Sequence, residues 1–267
     1  TRSQEVFLKP GTTLGRYIIG ERIGSGGMGA VFAATHVELK RKVAIKVLHP
    51  QLAENPRIRA RFLREGRSVA RVRHPHVIDV HDVGRRGELA YLVMEHLEGV
   101  GFDVVLQRHA RLSPGRIASV LLPVAAALYA AHQRGIVHRD GKPSNIFITL
   151  GPGGRPHPKL LDFGGSKLGE DDQPGDLTET GVVLGTPFYM SPEQAYGDRS
   201  VDARSDQYAL GVIAYECATG QRPIDGPSIY QIFDRIVRGD FRRPIDVEPG
   251  IPAALELVIL TAMATDP

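Results

Sequence analysis

The sequence has a single cysteine, Cys217, and no tryptophan. One thiol cannot close an internal disulfide, which suits a reducing compartment. Its apolar neighbours in Leu210-Gly-Val-Ile-Ala-Tyr-Glu-Cys217 predict a buried, inert side chain. A strong excess of one charge is also lacking. The net charge is +3 and the isoelectric point is 9.0, too mild to argue for a nucleic-acid partner. The longest apolar run, Val120 to Ala131, falls short of a bilayer's thickness and contains Pro123. No secretory leader, internal repeat or low-complexity segment stands out. These absences predict a soluble, cytoplasmic stretch without membrane contact, any anchor of a longer protein lying elsewhere. With 267 residues, 42% apolar and 24% charged, the composition is that of one large or two modest globular domains.

What the chain does contain is concentrated in Ile136-Val137-His138-Arg139-Asp140-Gly141-Lys142-Pro143-Ser144-Asn145-Ile146-Phe147-Ile148. The apolar ends, Gly135–Val137 and Ile146–Thr149, read as strand-like anchors around polar side chains that a core could not absorb unpaired. Asp140 offers a base for a hydroxyl, Lys142 a charge for a developing phosphate, and Asn145 a neutral metal ligand. Phosphoryl transfer needs those parts in one small space. A Gly/Pro-rich turn then leads into Pro158-Lys-Leu-Leu-Asp162-Phe163-Gly164, which brings a further carboxylate.

Upstream, residues 1–16 read as a tail and Tyr17–Ile23 as a first strand. Gly24-Ser25-Gly26-Gly27-Met28-Gly29-Ala30-Val31 follows, a G-x-G-x-x-G-x-V pattern. On its own it is either a flexible turn or a phosphate-binding loop. The short β-like run after it argues for a hairpin tip and against a dinucleotide fold, which needs a helix there. In Lys42-Val-Ala-Ile-Lys46-Val-Leu, Lys46 sits in an apolar strand, either facing water at an edge or seeking an anion. Pro56 to Val72 has a helical rhythm, and Glu65 lies among Arg61, Arg64, Arg67 and Arg71. It either pairs locally at i,i+4 spacing or reaches Lys46 and orients it. Val77–Val83 and Leu89–Met94 complete five strands and one helix, and Glu95–Gly99 reads as a hinge. Beyond it the pattern turns helical: Phe102–Ala110, a helix opening at Ser113-Pro114, and one from Asp202 to Gly220. The polar segment from Gly165 to Thr186 reads as a mobile loop.

Gly24-x-Gly26-x-x-Gly29-x-Val31, Val43-Ala-Ile-Lys46, His138-Arg-Asp140 with Asn145, Asp162-Phe-Gly164 and Ser191-Pro-Glu193, in that order, resemble the protein kinase signature set. Tyr189-Met-Ser-Pro-Glu-Gln and Ser200-Val-Asp-Ala-Arg-Ser-Asp are most similar to bacterial eukaryotic-type (Hanks-type) Ser/Thr kinases. The resemblance spans nearly everything from Tyr17 onward. It implies an α+β bilobal fold: an N-lobe and hinge over 17–97, and a mostly helical C-lobe over 98–267, incomplete at its C-terminus.

The same resemblance implies a Ser/Thr protein kinase that uses ATP with Mg²⁺ or Mn²⁺, acts on protein Ser/Thr hydroxyls, and self-associates to autophosphorylate in trans. Lys46 would hold the α/β-phosphates and pair with Glu65. Asp140 would act on the substrate hydroxyl, Lys142 would stabilise the transferred group, and Asn145 and Asp162 would hold the metal ions. Gly24, Gly26 and Gly29 would cover the phosphates. Ile23, Val31 and Ala44 would lie above the adenine and Phe147 below, with Met94 as gatekeeper and the backbone of Glu95 and Leu97 at the adenine edge. Thr186 in Gly-Thr-Pro is similar to Ser/Thr kinases, and Thr178 and Thr180 are candidate phosphorylation sites opposite Arg139. Val69, Val80, His138 and Phe163 look like an apolar column anchored by Asp206. Three departures stand out. Gly141 replaces an aliphatic residue, which would leave a gap. Phe147 is bulkier than the usual leucine, and the arginine expected to pair with Glu193 is not within the sequence. The alternative is a pseudokinase scaffold that binds nucleotide or partners without phosphotransfer.

Overall fold

The computed structural model of the chain describes residues 8–163, 187–198 and 201–265. They form two units, the first running to Arg73 and including Ile78–Glu98, the second holding His74–Val77 and the chain from Gly99 on.

Alternating apolar residues dictate the first unit's sheet. Strands β1 (Thr13–Leu14), β2 (Tyr17–Ser25), β3 (Gly29–His36), β4 (Lys42–Leu48), β5 (Val80–Arg86) and β6 (Leu89–Glu95) pair antiparallel in the order β1-β2-β3-β4-β6-β5. Side chains of a strand alternate between faces. Accordingly Val43, Ile45 and Val47 join Ile19, Phe32 and Val93 in one apolar cluster. Leu48, on the opposite face with Ala44 and Lys46, joins Phe62, Leu63 and Ala90 under the helices α1 (Pro50–Ala53) and α2 (Pro56–Val69). Helix α2 begins where Asn55 accepts from Arg57 N and Ile58 N, with Pro56 at the first helical position.

The sequence predicts five strands and one helix here, and two short elements correct it. Thr13–Leu14 belongs to the sheet and not to a tail, because the Gly15 turn (φ 58°) folds it back onto Tyr17–Ile18 and buries Leu14 completely. Helix α1 has four residues, too few to show a period. Helix α2 also stops three residues short of Val72, at Val69.

Gly29 is required by sheet packing: a Cβ there would stand 2.0 Å from the Val47 carbonyl oxygen. Backbone cannot yield as a side-chain end does. Gly29→Ala is expected to cost about 1–3 kcal/mol in denaturant unfolding by forcing β3 from β4.

The second unit combines a small sheet, β7 (Gly99–Gly101), β8 (Ile146–Leu150) and β9 (Pro156–Leu160), with helices α3 (Phe102–Arg108), α4 (Pro114–His132), α5 (Pro192–Tyr196), α6 (Ala203–Thr219), α7 (Ile229–Arg238), α8 (Pro244–Val247) and α9 (Ala253–Ala262). Helix α6 is its axle. Asp202 caps its start, Gly220 in the left-handed region ends it, and Tyr208, Val212, Ile213 and Cys217 are buried along it. Burial pushes the Cys217 thiol well up, the inert state its neighbours predict. Helix α4, packed on α6, continues through Pro123 to 19 residues. It is long and apolar enough by length and composition to cross a membrane, which the shorter run in the sequence is not. Ile117, Val120, Leu121, Val124, Ala127, Leu128 and Ala131 are nonetheless buried in the unit's core.

Gly135–Val137, predicted to be strand-like, forms no strand; the Ile136 amide instead donates to Ala131 O at the end of α4. The segment His74–Val77 is bound to β9. Leu160 N donates to His76 O, the His76 ring Nδ1 to Pro158 O at 2.8 Å, and His157 Nε2 to Pro75 O at 3.1 Å. His74 Nδ1 accepts from His76 N at 3.3 Å. Burial first, then the charges of His76 and Lys159, hold the His74 pKa below its ordinary value. The native state therefore resists a proton that the unfolded chain accepts near pH 6.5. Folding stability should decline as pH falls below that value, down to the depressed native pKa. His74→Asn, which keeps an acceptor and cannot titrate, should flatten this part of a thermal-denaturation pH series.

Candidate active site

In the first unit the β2–β3 connection is a tight turn. Gly26 N donates to Gly29 O at 2.9 Å and Gly29 N to Gly26 O at 3.3 Å. The glycine pattern is thus a hairpin tip, as the run after it predicts. In the antiparallel register Gly24 faces Val31, Val31 faces Lys46, Ala44 faces Met94 and Lys46 faces Leu92. Facing residues share a side of the sheet, so Val31, Ala44, Lys46 and Met94 form one surface. Ile23 is half exposed on β2. Glu95 accepts from the Asp79 amide through its carboxylate and donates to Asp79 O through its own amide, both at 2.9 Å, which fixes the strand end leading to Leu97.

The ion pair that Glu65 makes is with Arg61, one turn earlier on α2 (Nε–Oε1 3.1 Å), and not with Lys46. Burial raises the Glu65 pKa; the Arg61 bond and the charges of Arg61, Arg64 and Lys46 oppose that rise. Lys46 therefore acts on Glu65 as a nearby charge, while the local i,i+4 partner takes the contact.

In the second unit the loop after α4 gathers the remaining groups. Asp140 receives the Lys142 ammonium on both oxygens, Oδ1 at 3.0 Å and Oδ2 at 2.7 Å. Asn145, nearly buried, donates its Nδ2 to the Asp140 main-chain oxygen at 2.8 Å and to Oδ2 at 2.9 Å. That leaves the amide oxygen Oδ1, which accepts no hydrogen bond among the described residues. Leu161 is pinned at both its peptide groups, donating to Asn145 O at 2.8 Å and accepting from His138 Nε2 at 2.7 Å. Asp162 follows with φ 50°, and Arg139 has φ 66°. Left-handed backbone at residues other than glycine persists only where neighbours impose it.

Those neighbours are visible. Asp206, 1% exposed at the start of α6, accepts from His138 N (2.9 Å), Arg139 N (2.8 Å) and His132 Nε2 (2.7 Å). His138, itself fully buried, accepts from Asp140 N on Nδ1 at 3.3 Å, so its proton lies on Nε2. Its ring centroid lies 4.7 Å from that of buried Phe163, the two planes tilted by 55°. Gln194 of α5 donates to Arg139 O at 2.8 Å. His132 and Gln194 carry no local signal in the sequence; their roles arise from contacts across 74 and 55 residues. Phe147 stands in β8 beside Gly101 and Lys159.

One expectation needs correction. Gly141 leaves no gap: a Cβ there would stand 2.7 Å from Ala209 Cβ on α6, so the helix already fills the space. Gly141→Ala should then destabilise the domain by about 1–3 kcal/mol through overpacking, and Ala209→Gly should recover part of that loss in a double-mutant unfolding cycle. The Glu193 carboxylate, whose expected arginine is not within the sequence, accepts from Ser205 Oγ. Gly164, Thr178, Thr180 and Thr186 lie outside the described residues.

Hard oxygen donors suit Mg²⁺, which usually takes one or two carboxylates and completes its shell with phosphate oxygens and water. The open Oδ1 of Asn145 and the carboxylate of Asp162 fit that pattern. Among the described residues no three His, Cys, Asp or Glu side chains cluster as a self-sufficient metal site.

A glycine hairpin and an in-strand lysine in one unit, and an Asp-Lys-Asn loop seated on a buried aspartate in the other, are the signature elements of the kinase class. The chain belongs to the protein kinase family: residues 17–253 match the protein kinase domain. It is 42% identical over 260 residues to the serine/threonine-protein kinase Pkn1 of Myxococcus xanthus, covering 96% of this chain and 36% of that protein. It is 40% identical over 256 residues to the serine/threonine-protein kinase PknB of Mycobacterium tuberculosis, covering 94% and 40%. The chain thus spans well under half the length of these relatives. A crystal structure of the Mycobacterium tuberculosis PknI kinase domain, as a double mutant, superposes with a TM-score of 0.75 at 30% identity, over 98% of this chain and 92% of that one. The bilobal α+β kinase fold expected from the sequence is the fold observed.

Proposed function

We propose that this domain transfers the γ-phosphoryl group of ATP to serine and threonine hydroxyls of proteins. The observation that carries the reading is the Asp140 carboxylate, held between the Lys142 ammonium and the Asn145 amide. In this reading Asp140 accepts the proton of the substrate hydroxyl as its oxygen attacks the γ-phosphorus and the bond to ADP breaks. Lys142, bonded to that carboxylate, lies where negative charge accumulates on the transferred group. Lys46 grips the α- and β-phosphates under the glycine turn, and Val31, Ala44 and Met94 give the adenine an apolar wall. Asn145 Oδ1 and Asp162 hold Mg²⁺, which when bound neutralises the phosphate oxygens. The names of the relatives support the serine/threonine class, and the complete set Lys46, Glu65, Asp140, Asn145 and Asp162 favours activity over a scaffold.

Control belongs to the same reading: Thr178 or Thr180 is autophosphorylated within a self-associated pair, and the new charge is met by arginines such as Arg139. The test is label transfer from Mg-ATP to a generic basic protein, with mass spectrometry of the kinase itself. Phosphoserine or phosphothreonine on the substrate and on Thr178 or Thr180 is expected. Nucleotide binding with no transfer would instead support the scaffold, and transfer without modification at either threonine would remove the proposed control.

A further inference from the structure

The segment between β4 and α1 holds the glycine turn through one residue. His49 Nε2 lies 2.8 Å from Gly26 O, and His49 N donates to Met28 O at 2.9 Å. The Met28 side chain adds a third attachment, seated against the Leu48–Ala53–Phe62 cluster. His49 is also the residue before α1, yet its ring makes no capping bond there. The imidazole is therefore committed to the turn and not to the helix.

A trans peptide is planar, with its C=O and N–H on opposite sides. Fixing the Gly26 carbonyl on the His49 ring thus turns the Gly27 N–H away from His49. The Gly27 and Met28 amides make no hydrogen bond among the described residues, whereas the Gly26 and Gly29 amides each donate to the other residue's carbonyl oxygen. Adjacent unpaired backbone N–H groups, held in one orientation, suit an anion. Resting on the kinase reading above, we propose that His49 is a positioning residue for the phosphate-binding turn, its Nε2–H fixing the Gly26–Gly27 peptide so that the Gly27 amide is held ready for the nucleotide phosphates before ATP arrives. Glycine is otherwise the most mobile residue, and a turn that need not be ordered on binding loses less affinity.

The experiment compares His49→Phe, which keeps a flat ring but has no donor, with His49→Gln, whose Nε2 falls near that of histidine. Titrations use adenosine and Mg·AMP-PNP, and ¹H–¹⁵N heteronuclear NOEs of residues 26–29 are read in nucleotide-free protein. His49→Phe is expected to weaken Mg·AMP-PNP about fivefold, the size of one lost hydrogen bond, to lower the NOEs, and to leave adenosine affinity unchanged. His49→Gln should restore both signals. Unchanged NOEs and AMP-PNP affinity in His49→Phe would overturn the proposal, and so would an equal loss of adenosine binding, which signals general loosening. Wild-type protein that fails to bind Mg·AMP-PNP would instead overturn the kinase reading itself.

Discussion

Asp140→Asn should lower single-turnover phosphotransfer about 10²–10⁴-fold while leaving nucleotide affinity within a few-fold. The substitution keeps the shape of the side chain and removes only its negative charge and its ability to take a proton. In the native loop that charge is met by Lys142 at 2.7 Å and by the Asn145 amide at 2.9 Å. With Asn at 140, one terminal atom becomes a donor facing other donors, so the loop loses its base and the carboxylate that holds Lys142. Lys46 and the proposed adenine wall of Val31, Ala44 and Met94 belong to the other unit. Single-turnover rates at saturating Mg-ATP separate the two effects. A rate within tenfold of wild type would show that Asp140 is not the base.

Asp206→Asn should be the most damaging single change to the folded state. The carboxylate is 1% exposed and accepts the amides of His138 and Arg139 and the His132 ring. An amide there presents N–H groups to N–H groups. Disrupting a buried, hydrogen-bonded charge in this way costs about 3–5 kcal/mol. The loss should appear in urea unfolding and, through the released His138–Arg139 backbone, in activity as well. His132→Ala, which removes one donor from the same carboxylate, should cost only about 1–3 kcal/mol. A penalty below that of His132→Ala would contradict the anchoring role of Asp206.

The groups proposed to react could be singled out because they are local. Asp140, Lys142 and Asn145 lie within six residues, and their chemistry can be stated before any fold is known. Lys46 stood out because a charge in an apolar strand demands an explanation. What escaped the sequence depends on distant partners. Glu65 had two partners open to it, Lys46 and Arg61, and only the packing of α2 decided between them. Gly141 looked like a missing side chain until Ala209, on a helix 68 positions later, proved to occupy the space. Gly135–Val137 has strand composition but no strand beside it, and pairing is what makes a strand. The brief elements β1 and α1 are too short to leave a periodic trace, although Gly15 marks the turn that creates the first.

A crystal structure of the domain with Mn²⁺ and AMP-PNP tests the central assignment most directly, because manganese can be located by its anomalous scattering. A metal peak within about 2.5 Å of Asn145 Oδ1 and of an Asp162 oxygen, with the γ-phosphate facing Asp140, is the predicted result. Nucleotide bound with its metal away from both residues, or its phosphates turned from Asp140, would contradict it.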